Sequence, residues 1–116
     1  MSDSREMSPH CIRVAKDGDE HLFYCTVPST LTPLLGHFPG TPIVPGVCQL
    51  RWVVDFWRSV SKEPLSISRL VQVKFQRLLR PDDTFCIGLA LRNAAIHYRI
   101  FNDSGSFASG KMEIRT

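Results

Sequence analysis

His37 stands in a stretch of chain that is restricted on both sides, because prolines and glycines recur from Pro33 to Gly46. Such residues pin the backbone, so a side chain between them is positioned at little further entropic cost. Histidine is the side chain best suited to accept a proton near neutral pH. The pattern makes His37 a candidate general base, against the simpler interpretation of a structural histidine in a loop.

The restricted stretch leads into the start of a helix at Pro45 and Gly46. The first N–H groups of a helix have no partner inside it, and the helix dipole favours negative charge there. They suit a carbonyl oxygen that is becoming negative, and a glycine lets a substrate approach the backbone closely. A base beside such donors is what proton abstraction next to a thioester carbonyl requires, so Gly46 is the second candidate.

The helix is predicted from Val47 to about Lys62, where the apolar spacing is helical. The residues expected on its buried side are Val47, Leu50, Val53, Val54, Phe56, Trp57 and Val60. Charged residues follow the opposite stripe, namely Arg51, Asp55, Arg58 and Lys62. Pro64 prevents the helix from continuing.

Strands are predicted on both sides of this helix. Asp17-Gly18 between two apolar runs indicates a hairpin over 11–15 and 22–27. After the helix come strands at 71–75, 84–91, 95–101 and 107–115, with a turn at 80–83. A hairpin, one long helix and several antiparallel strands make an α+β domain with the helix across one face of a curved sheet. We expect a flexible N-terminal tail over 1–9 and a single domain over 10–116.

Composition excludes several classes of protein. The 116 residues are 43% hydrophobic and 22% charged, which is typical of one globular domain. The net charge of +3 comes from scattered basic residues, which argues against nucleic-acid binding. The start lacks the apolar run of a signal peptide, and no stretch approaches the ~20 apolar residues of a membrane span. We therefore expect a soluble, cytoplasmic protein.

The four cysteines show no metal-ligand spacing. Each lies in an apolar segment, where a free cysteine behaves as a small buried hydrophobe. They predict a reducing compartment and no metal site. Cys48 lies beside the candidate site, where packing against the sheet is a better interpretation than nucleophilic work.

Two segments resemble a known family. His37–Val47 reads HFPGTPIVPGV and resembles the H-F-P-G-x-P-x-x-P-G-V signature of the hot-dog-fold 3-hydroxyacyl-acyl-carrier-protein dehydratases of the FabA/FabZ type. Lys74–Asp83 resembles the family's K-F-x-R-x-x-x-P-G-D segment, with Asp82 in place of the glycine. Gln49, Leu50 and Trp52 are similar to the short dehydratase-like proteins of aryl-polyene gene clusters. The likeness spans most of the chain.

The resemblance implies a hot-dog fold, in which a long central helix is wrapped by a curved antiparallel sheet. It also implies a homodimer or higher oligomer with active sites at the interface. His37 would abstract the α-proton of the acyl thioester, and the N–H of Gly46 would bind its oxygen. The family's second catalytic residue, a Glu or Asp five residues beyond that glycine, comes from the other subunit; in this chain the position is Arg51.

Arg51 leaves three interpretations open, because a charged guanidinium does not readily donate a proton. It could hold a water or the departing hydroxyl while another group supplies the proton. Asp55, one turn later, could pair with Arg51 or partly replace the carboxylate. Alternatively, the chain binds an acyl group without dehydrating it. The simplest structural alternative is a solvated i,i+4 ion pair, which contributes only a few tenths of a kcal/mol.

The first functional hypothesis is therefore dehydration of a 3-hydroxyacyl thioester to the trans-2-enoyl thioester, in fatty-acid or aryl-polyene-type biosynthesis. The partner implied is an acyl carrier protein with a phosphopantetheine-linked substrate, met by Lys74, Arg77 or Arg80. No metal or other cofactor is implied, since a histidine base and backbone donors suffice. The alternatives are a hot-dog acyl thioesterase and a non-catalytic acyl-thioester-binding protein.

Overall fold

The computed structural model describes residues 8–28 and 43–115, so residues 1–7, 29–42 and 116 lie outside the description below. Its elements in chain order are β1 (His10–Asp17), β2 (Glu20–Thr26), α1 (Gly46–Val60), β3 (Ile67–Phe75), β4 (Thr84–Arg92), β5 (Ala95–Asn102) and β6 (Gly105–Ile114). This order confirms the predicted hairpin, helix and later strands. The tail predicted for 1–9 falls mostly outside the described residues.

The six strands form one antiparallel sheet in the order β1-β2-β4-β5-β6-β3. The first hairpin turns at Gly18, whose φ of +61° is a conformation that glycine adopts without steric cost. β1 and β3 are the edge strands, and β4 and β5 lie at the centre. The sheet therefore places the strands of the first hairpin and the strand after the helix at opposite edges.

Helix α1 packs on one face of this sheet, which we call the inner face. Phe23 of β2 stacks on Phe56 of the helix with ring centroids 4.5 Å apart. Trp52 stacks on Phe85 of β4 at 5.8 Å, and Trp52 is 1% exposed. These contacts confirm an α+β architecture in which the helix covers the curved sheet and shares its core.

The buried side of α1 differs from the predicted one. Val47 is 73% exposed, so its placement in the core was wrong. The buried helix residues are Gln49, Trp52, Val53 and Trp57. The buried side therefore includes Gln49 and excludes Val47, which lies at the start of the helix.

The boundaries of two elements also differ from prediction. The helix ends at Val60, and the N–H of Ser61 bonds to the carbonyl oxygen of Trp57 at 2.9 Å. β3 begins at Ile67, four residues before the predicted start, because its first residues pair with the far end of β6.

The helices within the described ranges include none long and apolar enough to cross a membrane.

The turn predicted at 80–83 is present and holds a left-handed residue. Asp82 has a φ of +68°, at the position where the resembled family has glycine. Aspartate tolerates this region better than most residues, since its short polar side chain bonds locally. The side chain of Asp83 stabilises the turn by accepting the N–H of Arg80 at 2.8 Å.

Candidate active site at the start of helix α1

His37 and most of the restricted stretch lie outside the described residues, and the chain on either side of that stretch is held by backbone hydrogen bonds. Before it, the N–H of Val27 bonds to the carbonyl oxygen of Asp83 at 3.0 Å, and Val27 accepts the N–H of Asp82 at 2.8 Å. After it, the N–H of Val44 bonds to the carbonyl oxygen of Leu79 at 2.7 Å. Both ends are therefore held by one segment, 79–83.

This arrangement connects the two motifs that the sequence analysis treated separately. Segment 79–83 forms the end of the second motif, and it anchors the chain that enters and leaves the first. Val27 and Val44 are 1% and 3% exposed, so both anchors are buried. The end of the second motif thus holds the two residues, Val27 and Val44, that border the histidine segment. The spacing of residues in the sequence did not reveal this contact.

Gln49 adds a third contact at the same place. Its Nε2 donates to the carbonyl oxygen of Val44 at 3.2 Å, which connects the helix to a residue two positions before its start. Gln49 is 3% exposed, and its Oε1 has no hydrogen-bond partner in the described part of the chain. The sequence analysis used Gln49 only as a subfamily marker; a lone glutamine on an otherwise apolar helix side was the signal of this role.

The start of the helix itself has no side-chain cap among the described residues. Pro45 is the N-cap and provides no side-chain cap, and the first turn contains no acidic residue. The carbonyl oxygen of Pro45 accepts the N–H groups of Cys48 and Gln49 at 3.0 and 3.3 Å. The positive end of the helix dipole is therefore not neutralised by a carboxylate of the first turn.

Gly46, the predicted oxyanion donor, is the first residue of the helix and lies against Phe75. A Cβ at Gly46 would stand 2.7 Å from Cζ of that ring and 3.0 Å from its Cε1. The space next to the glycine is therefore occupied by an aromatic side chain of β3. The role of Gly46 in substrate approach stays a prediction; in the structure the glycine also lets the ring of Phe75 lie against the helix start.

Arg51 lies on the outside of the helix, one turn beyond Gly46. Its Nε is 3.8 Å from Oδ2 of Asp55, and the two side chains are 62% and 49% exposed. This is the solvated i,i+4 pair named above as the simplest alternative, and such pairs contribute only a few tenths of a kcal/mol. Within one chain, Arg51 points toward solvent and its nearest charged partner is Asp55.

Cys48 is half-buried next to Gly46 and packs against the core. Burial raises the pKa of its thiol above the ordinary value, and the smaller opposing effect is the charge of Arg51. A thiol with a raised pKa is a poor nucleophile near neutral pH. This agrees with the prediction that Cys48 has a packing role.

The three basic residues predicted to meet a carrier protein differ in their surroundings. Arg77 is committed to the fold: its guanidinium lies 3.8 Å from the ring centroid of Phe107, and its Nη2 donates to Asn102 Oδ1 at 2.7 Å. Lys74 and Arg80 are exposed. The described residues contain no cluster of three or more histidine, cysteine or acidic side chains placed to hold a metal ion.

A single helix laid across a six-stranded antiparallel sheet is the architecture of the hot-dog fold that the sequence resemblance implied. The family model for ApeI-like proteins, described as ApeI dehydratase, matches residues 13–111. The chain therefore belongs to the ApeI-like dehydratase family. No curated protein sequence is similar enough to this chain to count as a match.

Solved structures show the same fold. A chain of the dehydratase heterocomplex ApeI:P from Xenorhabdus doucetiae superposes with a TM-score of 0.86 at 26% identity, over 93% of this chain and 98% of the other. An uncharacterized protein from Erwinia carotovora subsp. atroseptica gives 0.76 at 24% identity, over 92% and 95%. The dehydratase domain from the CurJ module of curacin polyketide synthase gives 0.70 at 14% identity, over 92% and 42%.

Proposed function

We propose that this dehydratase-type protein removes water from a 3-hydroxyacyl thioester carried on an acyl carrier protein, and that it releases the trans-2-enoyl thioester. The observation that supports the proposal is the start of α1 at Gly46, which has no side-chain cap. The residues that border the histidine segment, Val27 and Val44, are both hydrogen-bonded to segment 79–83. In this reaction His37 takes the α-proton, and the helix start stabilises the thioester oxygen as it becomes negative.

The second half of the reaction needs a proton for the departing hydroxyl. Arg51, at the position of the family's carboxylate, cannot readily donate one, and in a homodimer both sites would present Arg51. The superposed chain from Xenorhabdus doucetiae comes from a dehydratase heterocomplex. We therefore propose that a second hot-dog chain supplies the acid across the interface, while Arg51 holds the departing hydroxyl or its carboxylate partner.

The acyl carrier protein would approach Lys74 and Arg80, the two exposed cations of the second motif. Arg77 is excluded from this role because its guanidinium is bound to Asn102 and Gly105. Lysine and arginine near a site mouth attract an acidic partner and mainly raise its rate of association. Charge reversal at Lys74 should therefore raise KM and leave kcat nearly unchanged.

The test is incubation with a 3-hydroxyacyl carrier-protein thioester, with enoyl formation followed by mass spectrometry. The protein is measured alone and together with a hot-dog chain that carries the family's Glu or Asp. We expect water loss in the mixture, none with His37→Ala, and retention of the fold in that variant. Full activity of His37→Ala would refute the assignment of the base.

Substitutions at Arg51 distinguish the remaining alternatives. Arg51→Glu restores the family's residue, and Arg51→Lys is the matched control that keeps the charge. Water loss by Arg51→Glu alone, with none by the native protein alone, supports a missing acid. If native protein and both variants are inactive in every mixture yet bind the acyl thioester, the chain is an acyl-binding protein, which the exposed Arg51–Asp55 pair favours as the second candidate. Release of free acid and thiol would indicate a thioesterase.

A further inference from the structure

Cys11 and Cys25 face each other across the first hairpin. They are register partners in the antiparallel pair of β1 and β2. Directly opposed residues of such a pair have Cα atoms about 4.5 or 5.5 Å apart, and a disulfide accepts Cα separations of about 4.4–6.8 Å. The side chain of Cys11 lies close enough to that of Cys25 to contribute, after burial, to the raised pKa of the Cys25 thiol. The strand register therefore places the two Cα atoms at a separation that a disulfide accepts.

The two thiols differ in access to solvent. Cys11 is exposed and is the second residue of an edge strand, next to a register shift between Cys11 and Arg13. Cys25 is 2% exposed and belongs to the core. Burial raises the pKa of the Cys25 thiol well above its ordinary value, so an oxidant from solvent meets Cys11 first. This exposure corrects the prediction that every cysteine is a buried hydrophobe.

We propose that Cys11 and Cys25 form a reversible intramolecular disulfide when the protein reacts with hydrogen peroxide. The sulfur of Cys11 attacks the peroxide, the O–O bond breaks, and the products are a sulfenic acid and one water. The sulfur of Cys25 then attacks the sulfenic sulfur, the S–O bond breaks, and the hydroxyl leaves with the Cys25 proton as a second water. Two thiols thus supply the two electrons that reduce one peroxide.

The other two cysteines do not compete for this bond. Cys86 is the register partner of Tyr24 and Phe101, so it points to the outer face, opposite to Cys25. Cys48 lies on helix α1 and packs against the inner core. Pairing by strand register therefore selects one disulfide among the four thiols.

The crosslink would have a defined mechanical effect. It would tie the edge strand β1 to β2 two residues before Val27, which anchors the chain entering the histidine segment. Cys11 is the second residue of β1, so the backbone near this strand end can adjust to the dihedral angles that a disulfide prefers. The proposal depends only on this hairpin and not on the reaction proposed above.

The experiment treats the reduced full-length protein with hydrogen peroxide and measures its intact mass without reductant. We expect a loss of two hydrogens, a monomeric chain on a non-reducing gel, a link between Cys11 and Cys25 by fragmentation of the digest, and recovery of both thiols with dithiothreitol. Cys11→Ser, an exposed change that should not affect folding, and Cys25→Ala should each prevent this loss. Cys48→Ser and Cys86→Ala are matched controls that should keep it.

Several results would overturn the proposal. Gain of oxygen on Cys11 with no crosslink would show that Cys25 is not in reach. A disulfide between two chains, or one that includes Cys48 or Cys86, would show that strand register does not select the pair. An unchanged mass under peroxide would show that Cys11 is not the entry point. Since Cys11→Ser leaves the core intact, a folding defect in Cys25→Ala would not obscure these outcomes.

Discussion

Replacing Gly46 with alanine tests whether the ring of Phe75 is what excludes a side chain at the start of α1. The new Cβ would meet Cζ of the ring at 2.7 Å, and Cε1 and Cε2 at 3.0 and 3.1 Å. Carbon atoms in favourable contact are about 3.5–4.0 Å apart, so the ring must retreat by about 1 Å. The backbone poses no obstacle, since the left-handed glycines of the described chain are Gly18 and Gly105.

The size of the effect follows from two opposing contributions. Overpacking costs about 1–3 kcal/mol in a closed core, and we expect about 1 kcal/mol here because Phe75 is 50% exposed and can move. Alanine in place of glycine gains about 0.4–1 kcal/mol by restricting the unfolded chain. Gly46→Ala should therefore leave the free energy of unfolding within about 0.5 kcal/mol of the native value. In a Phe75→Ala background the clash is absent, so Gly46→Ala should raise the free energy of unfolding by about 0.4–1 kcal/mol.

The assay is urea unfolding of the native protein, the two single variants and the double variant. We expect a coupling of about 1 kcal/mol between the two sites, above the ~0.3–0.5 kcal/mol within which independent sites add. Val47→Ala, at the next and 73% exposed position, is the matched control and should show much weaker coupling to Phe75. If Gly46→Ala stabilises the protein equally in both backgrounds, the ring does not require the glycine.

Three further predictions concern stability. Asp82→Gly should raise the free energy of unfolding by up to about 1 kcal/mol in urea titrations, because Asp82 has a φ of +68° that glycine adopts more readily. Asp83→Gly should lower the free energy of unfolding, because it removes the hydrogen bond from the Arg80 N–H. The opposite order of the two variants would refute this account of the turn. Tyr98→Phe should be neutral or stabilising by about 1 kcal/mol, because the buried hydroxyl has no partner among the described residues, and a clear loss would reveal one. Burial raises the pKa of Tyr98 to about 12 and that of Cys86 to about 11. The unfolded chain releases both protons first, so stability should fall as pH rises from about 9 to 12. In a pH series of unfolding curves, Tyr98→Phe should show a less steep fall above about pH 10 than the native protein, because only the buried thiols Cys25 and Cys86 still contribute.

The order of elements could be predicted because each is encoded locally. Asp17-Gly18 indicates the first hairpin without knowledge of any distant residue, and Pro64 limits the helix wherever it packs. The assignments of a base to His37 and of an oxyanion donor to Gly46 came from a motif and a helix start. His37 lies outside the described residues and both roles remain predictions, whereas membership of the dehydratase family is established.

The rotation of the helix could not be predicted from its periodicity. Val47 fits the apolar pattern as well as Val54 does, yet the first is exposed and the second packs against the core. Gln49 breaks the pattern and is buried. A period states which residues share a side, but the position of the sheet along the helix decides which turns of that side are covered.

The sequence by itself determined the elements and the residue types available for chemistry, because these depend on short-range spacing; the hot-dog class was implied by the resemblance of its two motifs to a known family. Only the tertiary structure decided that Phe75 lies against Gly46, that Leu79 and Asp83 hold both ends of the histidine segment, and that Cys11 faces Cys25. Each of these contacts joins residues that are distant from each other in the sequence. Their distances depend on the strand register and on where the helix packs on the sheet, and neither can be read from the spacing of residues in the sequence.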